Sequence, residues 1–293
     1  MHPELASSKT RRVTMAAVTA QLGEAPPAGK RRRWWLVGLV VAWIVVIVVV
    51  GSWSVWHSPA TVPEQRDIAQ AVPELQRAAG VVYAAADGDG RVVVLGELEL
   101  IGDCRITPVR KGVVAARDLT VYVREGEART ALDEIAARLP KGYRTEVVAT
   151  QGGTKLGFHA DAGNFIGIDS AADATAEMVT LRLSSGCRPT SEHIPGETDP
   201  SAAAPPASFA AVVAALGGGA ETVVRAVSLP DNDVAASWST EVDEPGDLRE
   251  RLRLVSAGAT VLRDDASAWV YRTGGDSVVV VPDGTKVRVT VSQ

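Results

Sequence analysis

The two cysteines are the residues of this sequence whose chemistry is easiest to predict. Cys104 and Cys187 follow an apolar segment that we expect to cross a membrane, and disulfides persist in the oxidising environment outside it. We therefore predict that they form a disulfide, which would close a loop of about 80 residues and stabilise the fold by about 4 to 5 kcal/mol in the chain-entropy model. Two inert thiols or a catalytic thiol are the alternatives, but neither cysteine has a local nucleophile signature.

A polar cluster around His159 could form a metal site or an acid–base site. It comprises His159, Asp161, Asn164 and Asp169, with Lys155 just before them. Such side chains must converge in the fold if they are to bind a metal or transfer a proton. Residues 161–164 also have the composition of a hairpin turn between two apolar strands, and this is the interpretation that we favour.

Two acidic motifs suggest further chemistry, but each has a simpler interpretation. Glu97 and Glu99 could act as the acid and base of a glycosidase, but strand alternation puts both on one face, which is typical of a solvated surface. Residues 87–90, Asp-Gly-Asp-Gly, lack the remaining ligands of a calcium loop and favour a turn. The four histidines show no metal-binding spacing. We therefore assign no catalytic, metal-binding or cofactor-binding residue and do not expect an enzyme.

The distribution of charge excludes a nucleic-acid-binding role. The 293 residues carry a formal net charge of -5, but residues 1–33 contribute +5 and the remainder -10. Proteins that bind nucleic acid need clustered cations to displace counterions from phosphates. An acidic body with a basic N-terminal tail lacks that property.

The basic tail leads into a segment that predicts a transmembrane helix. Residues 34–56 contain no charged residue, and about 23 residues are enough to cross the hydrocarbon core of a bilayer. Cations remain on the cytoplasmic side and tryptophans favour the headgroup layers, so the tail is expected inside and the rest outside. A cleaved signal peptide, cut near Ser52 or Ala60, is the main alternative. The residues predicted to anchor the span are Lys30, Arg31, Arg32, Arg33, Trp34, Trp35, Trp53 and Trp56.

The remaining sequence predicts two modules joined by a proline-rich linker. We predict a disordered basic cytoplasmic tail at 1–33, a transmembrane helix at 34–56, a proximal module at 64–188, a linker at 189–207 and a distal module at 208–293. A partly extended linker would let the distal module reach about 50 Å beyond the proximal one. Residues 81–86 are predicted to form a strand that pairs with 91–100 across the turn at 87–90.

Each module has the pattern helix, strands, helix and a further run of strands, which leaves open that both are copies of one α-β-β-α-β-β-β unit. Alternating strands joined by short turns predict antiparallel sheets with helices on one face, an α+β fold.

The overall layout of tail, span and outer modules resembles that of bacterial division and envelope-assembly proteins, although the strand that opens their membrane-proximal domain is absent. No residue role is carried over from that resemblance. We expect a single-pass envelope protein with non-enzymatic interaction or scaffold modules. Its partners would be the lipid bilayer and either another envelope protein or a second copy of the chain. A cell-envelope hydrolase with a site near His159, or a cleaved secreted form, is the alternative.

Overall fold

The computed structural model describes residues 30–57, 66–190, 199–243 and 247–293, with side chains described for only 34–54 of the first range. It separates into two compact units, residues 1–59 and residues 60–293. The described part of the first unit is one helix, α1 (Lys30–His57). Within it, Trp34–Ser54 forms 21 residues of apolar, exposed helix, long enough to cross a membrane.

The second unit begins with a proximal module of two helices and one six-stranded sheet. Every neighbouring pair of strands in this sheet is antiparallel, and the strand order is β1-β2-β6-β5-β4-β3. We call it sheet 1. Its elements are α2 (Ile68–Ala86), β1 (Val92–Thr107), β2 (Arg110–Tyr122), α3 (Ala128–Arg138), β3 (Glu146–Thr150), β4 (Lys155–Asp161), β5 (Gly167–Asp173) and β6 (Met178–Arg188).

The distal module repeats this topology strand for strand. Sheet 2 is antiparallel, with the order β7-β8-β12-β11-β10-β9. The predicted α+β class is therefore confirmed, and the common unit is α-β-β-α-β-β-β-β, one strand longer than the expected unit. The distal elements are α4 (Ala207–Leu216), β7 (Val223–Ser228), β8 (Val234–Asp243), α5 (Leu248–Leu252), β9 (Thr260–Asp264), β10 (Trp269–Thr273), β11 (Asp276–Asp283) and β12 (Lys286–Ser292).

Each module buries one face of its sheet under its own helices. In the proximal module, apolar residues of α2 and α3, such as Leu75 and Leu132, pack on Leu119 and Leu181 of sheet 1. In the distal module, α4 and α5 cover a core that includes Trp238. Within the described ranges, the other face of each sheet has no helix of its own module on it, and we call it the helix-free face.

The prediction of a strand over residues 81–86 is wrong. These residues continue α2, which starts at an N-cap formed by Asp67 and passes through Pro73. The turn at 87–90 therefore connects a helix to β1 rather than closing a hairpin. Alanine favours helix, and the apolar tract Ala78–Ala86 is buried on nearly all sides by neighbouring elements, so its side chains lack the two-residue periodicity of a half-buried strand.

Helix α2 also joins the two modules, because it packs on β7 as well as on sheet 1. Val227 and Ala235 of the distal module belong to the proximal core. Gly80 permits this approach, since a Cβ atom at this position would lie 2.0 Å from the carbonyl oxygen of Ser228. The proximal core is therefore completed by residues of the distal module.

A second contact forms where β1 crosses the helix-free face of sheet 2. Val92 of β1 packs with Val270 and Val279 on that face. The backbone N–H groups of Val93 and Leu95, on the edge of β1 away from β2, donate to the hydroxyls of Ser277 (3.4 Å) and Ser237 (3.0 Å). Serine hydroxyls of sheet 2 thus accept hydrogen bonds from backbone N–H groups at the edge of sheet 1.

The described part of the predicted linker is packed within the second unit, against both modules. Asp199 is bound to Arg117 of β2 and to the backbone N–H of Ala226 in β7. Ala202 packs against the distal core. Residues 191–198 lie outside the described residues. The expectation that the distal module stands up to about 50 Å away is wrong, because both modules belong to the one compact unit and Asp199 lies at their junction.

Candidate functional site

The structure brings together only two members of the polar cluster around His159. His159 on β4 and Asp169 on β5 are register partners, and His159 Nδ1 lies 2.8 Å from Asp169 Oδ1. Both side chains are more than half exposed. Asp161 instead accepts from the N–H of Gly163 in the turn, and Lys155 pairs with Asp173. Among the described residues, no group of three His, Cys, Asp or Glu side chains could hold a metal ion.

The two glutamates proposed as a carboxylate dyad bind different arginines. Glu97 lies 2.9 Å from Arg225 of β7, whereas Glu99 lies 3.0 Å from Arg182 of β6. The pairing of β1 with β2 is irregular between Leu95 and Leu98. The structure therefore gives these carboxylates structural partners and does not bring them together as an acid and a base.

The acidic turn at 87–90 is also used within the fold. The Asp87 carboxylate accepts from Arg272 of β10 at 2.6 Å, and its backbone carbonyl accepts from Arg138 of α3 at 2.6 Å. Arg272 also donates to the carbonyl of Arg91. Asp87 thus connects α2, α3 and the distal sheet, which is a structural role.

Charged and polar residues form a row across the helix-free face of sheet 1. His159, Asp169, Arg182 and Asp118 are successive register partners on β4, β5, β6 and β2. Arg182 donates to Asp118 at 2.9 Å and to Glu99 at 3.0 Å. The hydrogen bond to Glu99 is the largest cause that raises the pKa of Arg182. Burial lowers this pKa, and the negative charges of Asp118 and Glu99 raise it further. Asp169, Arg182 and Asp118 therefore form a row of alternating charges on this face, and His159 is the polar group at its end.

The helix-free face of sheet 2 has different residues at the corresponding strand pair. Between β8 and β12, Ser237 pairs with Ser292 and Ser239 with Thr290, at hydroxyl–hydroxyl distances of 2.6 and 2.9 Å. These small side chains leave room for β1 to pass over the sheet. Next to this crossing is a cleft of about 580 Å³, lined in part by Arg225, Arg288 and Thr290.

The cleft is a mixed-charge surface whose arginines are already paired. Arg225 binds Glu97, and Arg288 donates to Asp283 at 3.1 Å. His159 is not among the lining residues. The cleft therefore does not unite the candidate catalytic groups that the sequence suggested.

A buried ion pair at the junction of the modules was missed by sequence reasoning. Arg117 of β2 is fully buried and makes a bidentate contact to Asp199, with distances of 2.8 and 2.9 Å. Its Nε donates to the carbonyl of Gly96, and Gln76 of α2 bonds to both partners. The signal in the sequence is an arginine on the inward side of β2, between Ala115 and Leu119.

The surroundings of Asp199 favour its charged form. Burial alone would raise the pKa of Asp199, but the hydrogen bonds from Arg117 and from the Ala226 N–H, with the positive charge of Arg117, hold that pKa below the usual value. The pair joins β1, β2, α2, β7 and the segment before α4. It acts as a structural centre: the neighbouring cavity of about 490 Å³ is lined by Gln76 and Pro200, whereas Arg117 and Asp199 are not among its lining residues.

The predicted disulfide between Cys104 and Cys187 is present. Its Cα atoms are 5.9 Å apart, and it ties β1 to the end of β6 across 83 residues of sequence. Together, the apolar N-terminal helix and this disulfide indicate a membrane-anchored or secreted protein.

The anchor residues are described in part. Trp34, Trp35 and Trp53 lie in α1 with exposed side chains. Lys30, Arg31, Arg32, Arg33 and Trp56 belong to the same helix, but their side chains lie outside the described residues. The anchoring role of all eight residues stays a prediction. The tail at 1–29 likewise lies outside the described residues.

Comparisons with known proteins identify no family for this chain. No family model matches it, and no curated protein matches it. Among solved structures it is similar to the crystal structure of a DUF4853 family protein from Actinomyces odontolyticus, with 15% identity and a TM-score of 0.34. That match covers 62% of this chain and 97% of the other. A likeness at this level transfers no property to the chain.

Proposed function

We propose that this protein is a single-pass, membrane-anchored envelope protein whose extracytoplasmic modules bind another envelope protein or a second copy of the chain. In this proposal the N-terminal tail is cytoplasmic and the modules are not enzymes. The observation that supports it best is the difference between the helix-free faces. That of sheet 2 is crossed by β1. That of sheet 1 packs on sheet 2 at Val92 and Tyr122, and beyond this contact it carries the charged row around the partly exposed Arg182; we call this part the open face.

The open face also ends in an exposed edge strand. β3 is the last strand of sheet 1, and four of its five residues are exposed, including Val148. An unpaired edge offers backbone donors and acceptors to an added strand, while side chains on the adjoining face select the partner. A protein partner with complementary charges would use the edge and the row together.

The alternative, a cell-envelope hydrolase centred on His159, has less support. A general acid or base needs a site where substrate and catalytic groups converge and where water is limited. His159 and Asp169 instead lie more than half exposed on an open sheet face. Binding through this face needs no such convergence.

Site-specific photocrosslinking in intact cells tests the proposal. A photoreactive residue replaces Val148 on β3 or, as the matched control, Val261 on β9. The two side chains are 40% and 36% exposed, and both strands are the last of their sheets. We expect a discrete crosslinked protein from position 148 that is absent from 261. Random neighbours at both positions would contradict the proposal.

Two further measurements test the location. A reporter enzyme fused after Gln293 should be active only outside the cytoplasm, and activity in the cytosol would refute the orientation. The intact mass of the cellular protein should match the uncleaved chain. A mass that lacks residues up to about Ser52 or Ala60 would favour the secreted alternative.

A further inference from the structure

The hairpin between β1 and β2 extends beyond the rest of sheet 1. β2 begins to pair with β6 at Val113, opposite Arg188. Before that point, residues 102–112 pair only with one another among the described residues, through Cys104–Gly112, Arg105–Lys111 and Thr107–Arg110. We call residues 102–112 the ribbon. The disulfide to Cys187 fixes its base to β6.

The ribbon is cationic on an acidic body. It contains Arg105, Arg110 and Lys111 but only one acidic residue, Asp103, whereas residues 34–293 carry a net charge of -10. Asp103 binds Lys111 at 2.7 Å. The guanidinium groups of Arg105 and Arg110 have no carboxylate partner among the described residues, and Arg105 lies directly opposite Lys111. With the charge of Lys111 balanced by Asp103, Arg105 and Arg110 leave the ribbon with a net charge of +2, which a bound anion would neutralise.

The tip of the ribbon is apolar. Val109 is 95% exposed and follows the exposed Pro108, and Ile101 at the base is 44% exposed. An apolar tip directly beside cations is the arrangement that enters the interfacial layer of a membrane, where apolar side chains reach the acyl boundary and cations contact anionic headgroups.

We propose that the ribbon binds the surface of an anionic phospholipid membrane. Val109 and Pro108 enter the headgroup layer, while Arg105, Arg110 and Lys111 contact lipid phosphates. The near-complete exposure of Val109 favours lipid over an acidic protein, because a charged protein surface offers no apolar layer to the tip. This contact is separate from the open face and does not depend on the function proposed for it.

The test uses the full chain reconstituted in vesicles with a fluorescent probe at the tip. Both native cysteines are in the disulfide, so an introduced cysteine is the single free thiol. Val109→Cys carries an environment-sensitive fluorophore, and Thr285→Cys, in the turn between β11 and β12, is the control. Vesicles contain phosphatidylcholine alone or with about one third phosphatidylglycerol, plus spin-labelled lipid as a quencher.

We expect blue-shifted emission and lipid quenching at position 109 in the phosphatidylglycerol vesicles, but not at position 285. The effect should weaken at about 0.5 M salt, because salt screens the attraction. R105Q/R110Q should reduce the equilibrium for contact by about 30-fold, corresponding to about 1 kcal/mol for each cation lost. A retained disulfide and unchanged circular dichroism would show that this variant folds.

Three results would overturn the proposal. The probe at 109 could stay in water with both lipids, or it could enter neutral vesicles as well as anionic ones. Alternatively, a photoreactive residue at 109 could crosslink in cells to an acidic protein without lipid quenching, which would assign the ribbon to a protein partner.

Discussion

The two sheets have one topology, but they use their helix-free faces differently. On the helix-free face of sheet 1, the neighbouring strands β2 and β6 carry the ion pair of Asp118 and Arg182. On the same face of sheet 2, the corresponding strands β8 and β12 carry the hydroxyl pair of Ser237 and Ser292. Small hydroxyl side chains leave room for another strand to cross the face, and they accept hydrogen bonds from the N–H groups of that strand. Large, partly exposed charged side chains do not allow such a close approach. The residue types on one face, not the topology, therefore decide whether a sheet serves the interior or the surface.

The largest effect should come from removing the disulfide, which only the proximal module contains. C104A/C187A should lower the free energy of unfolding by about 4 to 5 kcal/mol, the chain-entropy value for a separation of 83 residues. Denaturant titration of the oxidised parent and the variant measures it. Hydrogen exchange should rise mainly in residues 102–112 and the end of β6. A decrease in the free energy of unfolding below about 1 kcal/mol would show that other contacts keep the ribbon in place without the disulfide.

Breaking the buried ion pair should have the next largest effect, and it tests whether the modules unfold together. R117M leaves the Asp199 carboxylate buried without its cation, at a cost of about 3 to 5 kcal/mol. Chemical denaturation should show a single transition at lower denaturant. Two separate transitions in the parent protein would contradict our view that the modules form one unit.

The ion pair of Arg117 and Asp199 also predicts that the stability of the protein depends on pH. Because the pKa of Asp199 is lowered in the folded state, its contribution to stability is present above the pKa of an unfolded aspartate, about 4, and is lost as pH falls through the lowered value. D199N should therefore lose less stability than the parent between neutral pH and acid. Urea midpoints from pH 6 down to about 2 measure this difference. Equal slopes for both proteins would refute the role of Asp199.

The contact between α2 and β7 should respond to one methyl group. Gly→Ala in a helix ordinarily stabilises by about 1 kcal/mol, but G80A puts a Cβ 2.0 Å from the Ser228 carbonyl and should destabilise by about 1 to 3 kcal/mol. G102A is the control, since nothing lies within 4 Å of its Cβ. Thermal unfolding of the two variants gives the sign. A stabilised G80A would mean that the modules are not in close contact there.

The smallest effects compare the two faces directly. S237A removes the acceptor of the Leu95 N–H in a buried place and should cost about 1 to 3 kcal/mol. R182A removes a partly exposed ion pair and should cost less than about 1 kcal/mol. Denaturant midpoints under identical conditions compare the variants. Equal losses would remove the distinction between a covered and an open face.

Local patterns in the sequence were enough to predict most of the fold. Clean alternation, as in β12, placed the strands, and Gly217 ended α4 as expected from a glycine that tolerates positive φ. Residues 81–86 were misassigned because this short stretch is apolar at every position and mostly buried, and such a run cannot be told from a buried strand by periodicity. The disulfide could be predicted because both cysteines follow the apolar segment that is expected to cross a membrane, and disulfides persist outside it.

The contacts between modules could not be predicted, because they join residues distant in sequence. Arg117 signals a buried charge, but its partner lies 82 residues away in a segment with the composition of a linker. Nothing local to Glu97 or Glu99 indicates that they bind arginines of different sheets. Local patterns define each sheet, whereas only three-dimensional packing shows which faces are covered.

The serine hydroxyls that accept from β1 also have a protective effect. A long strand with free N–H groups along one side readily recruits strands from other molecules, which leads to aggregation. Ser237 and Ser277 accept hydrogen bonds from the N–H groups of Leu95 and Val93, so β1, the longest of the described strands, cannot template such growth at those positions while the sheets remain in contact. The contact between β1 and sheet 2 therefore also reduces the tendency of this edge to aggregate.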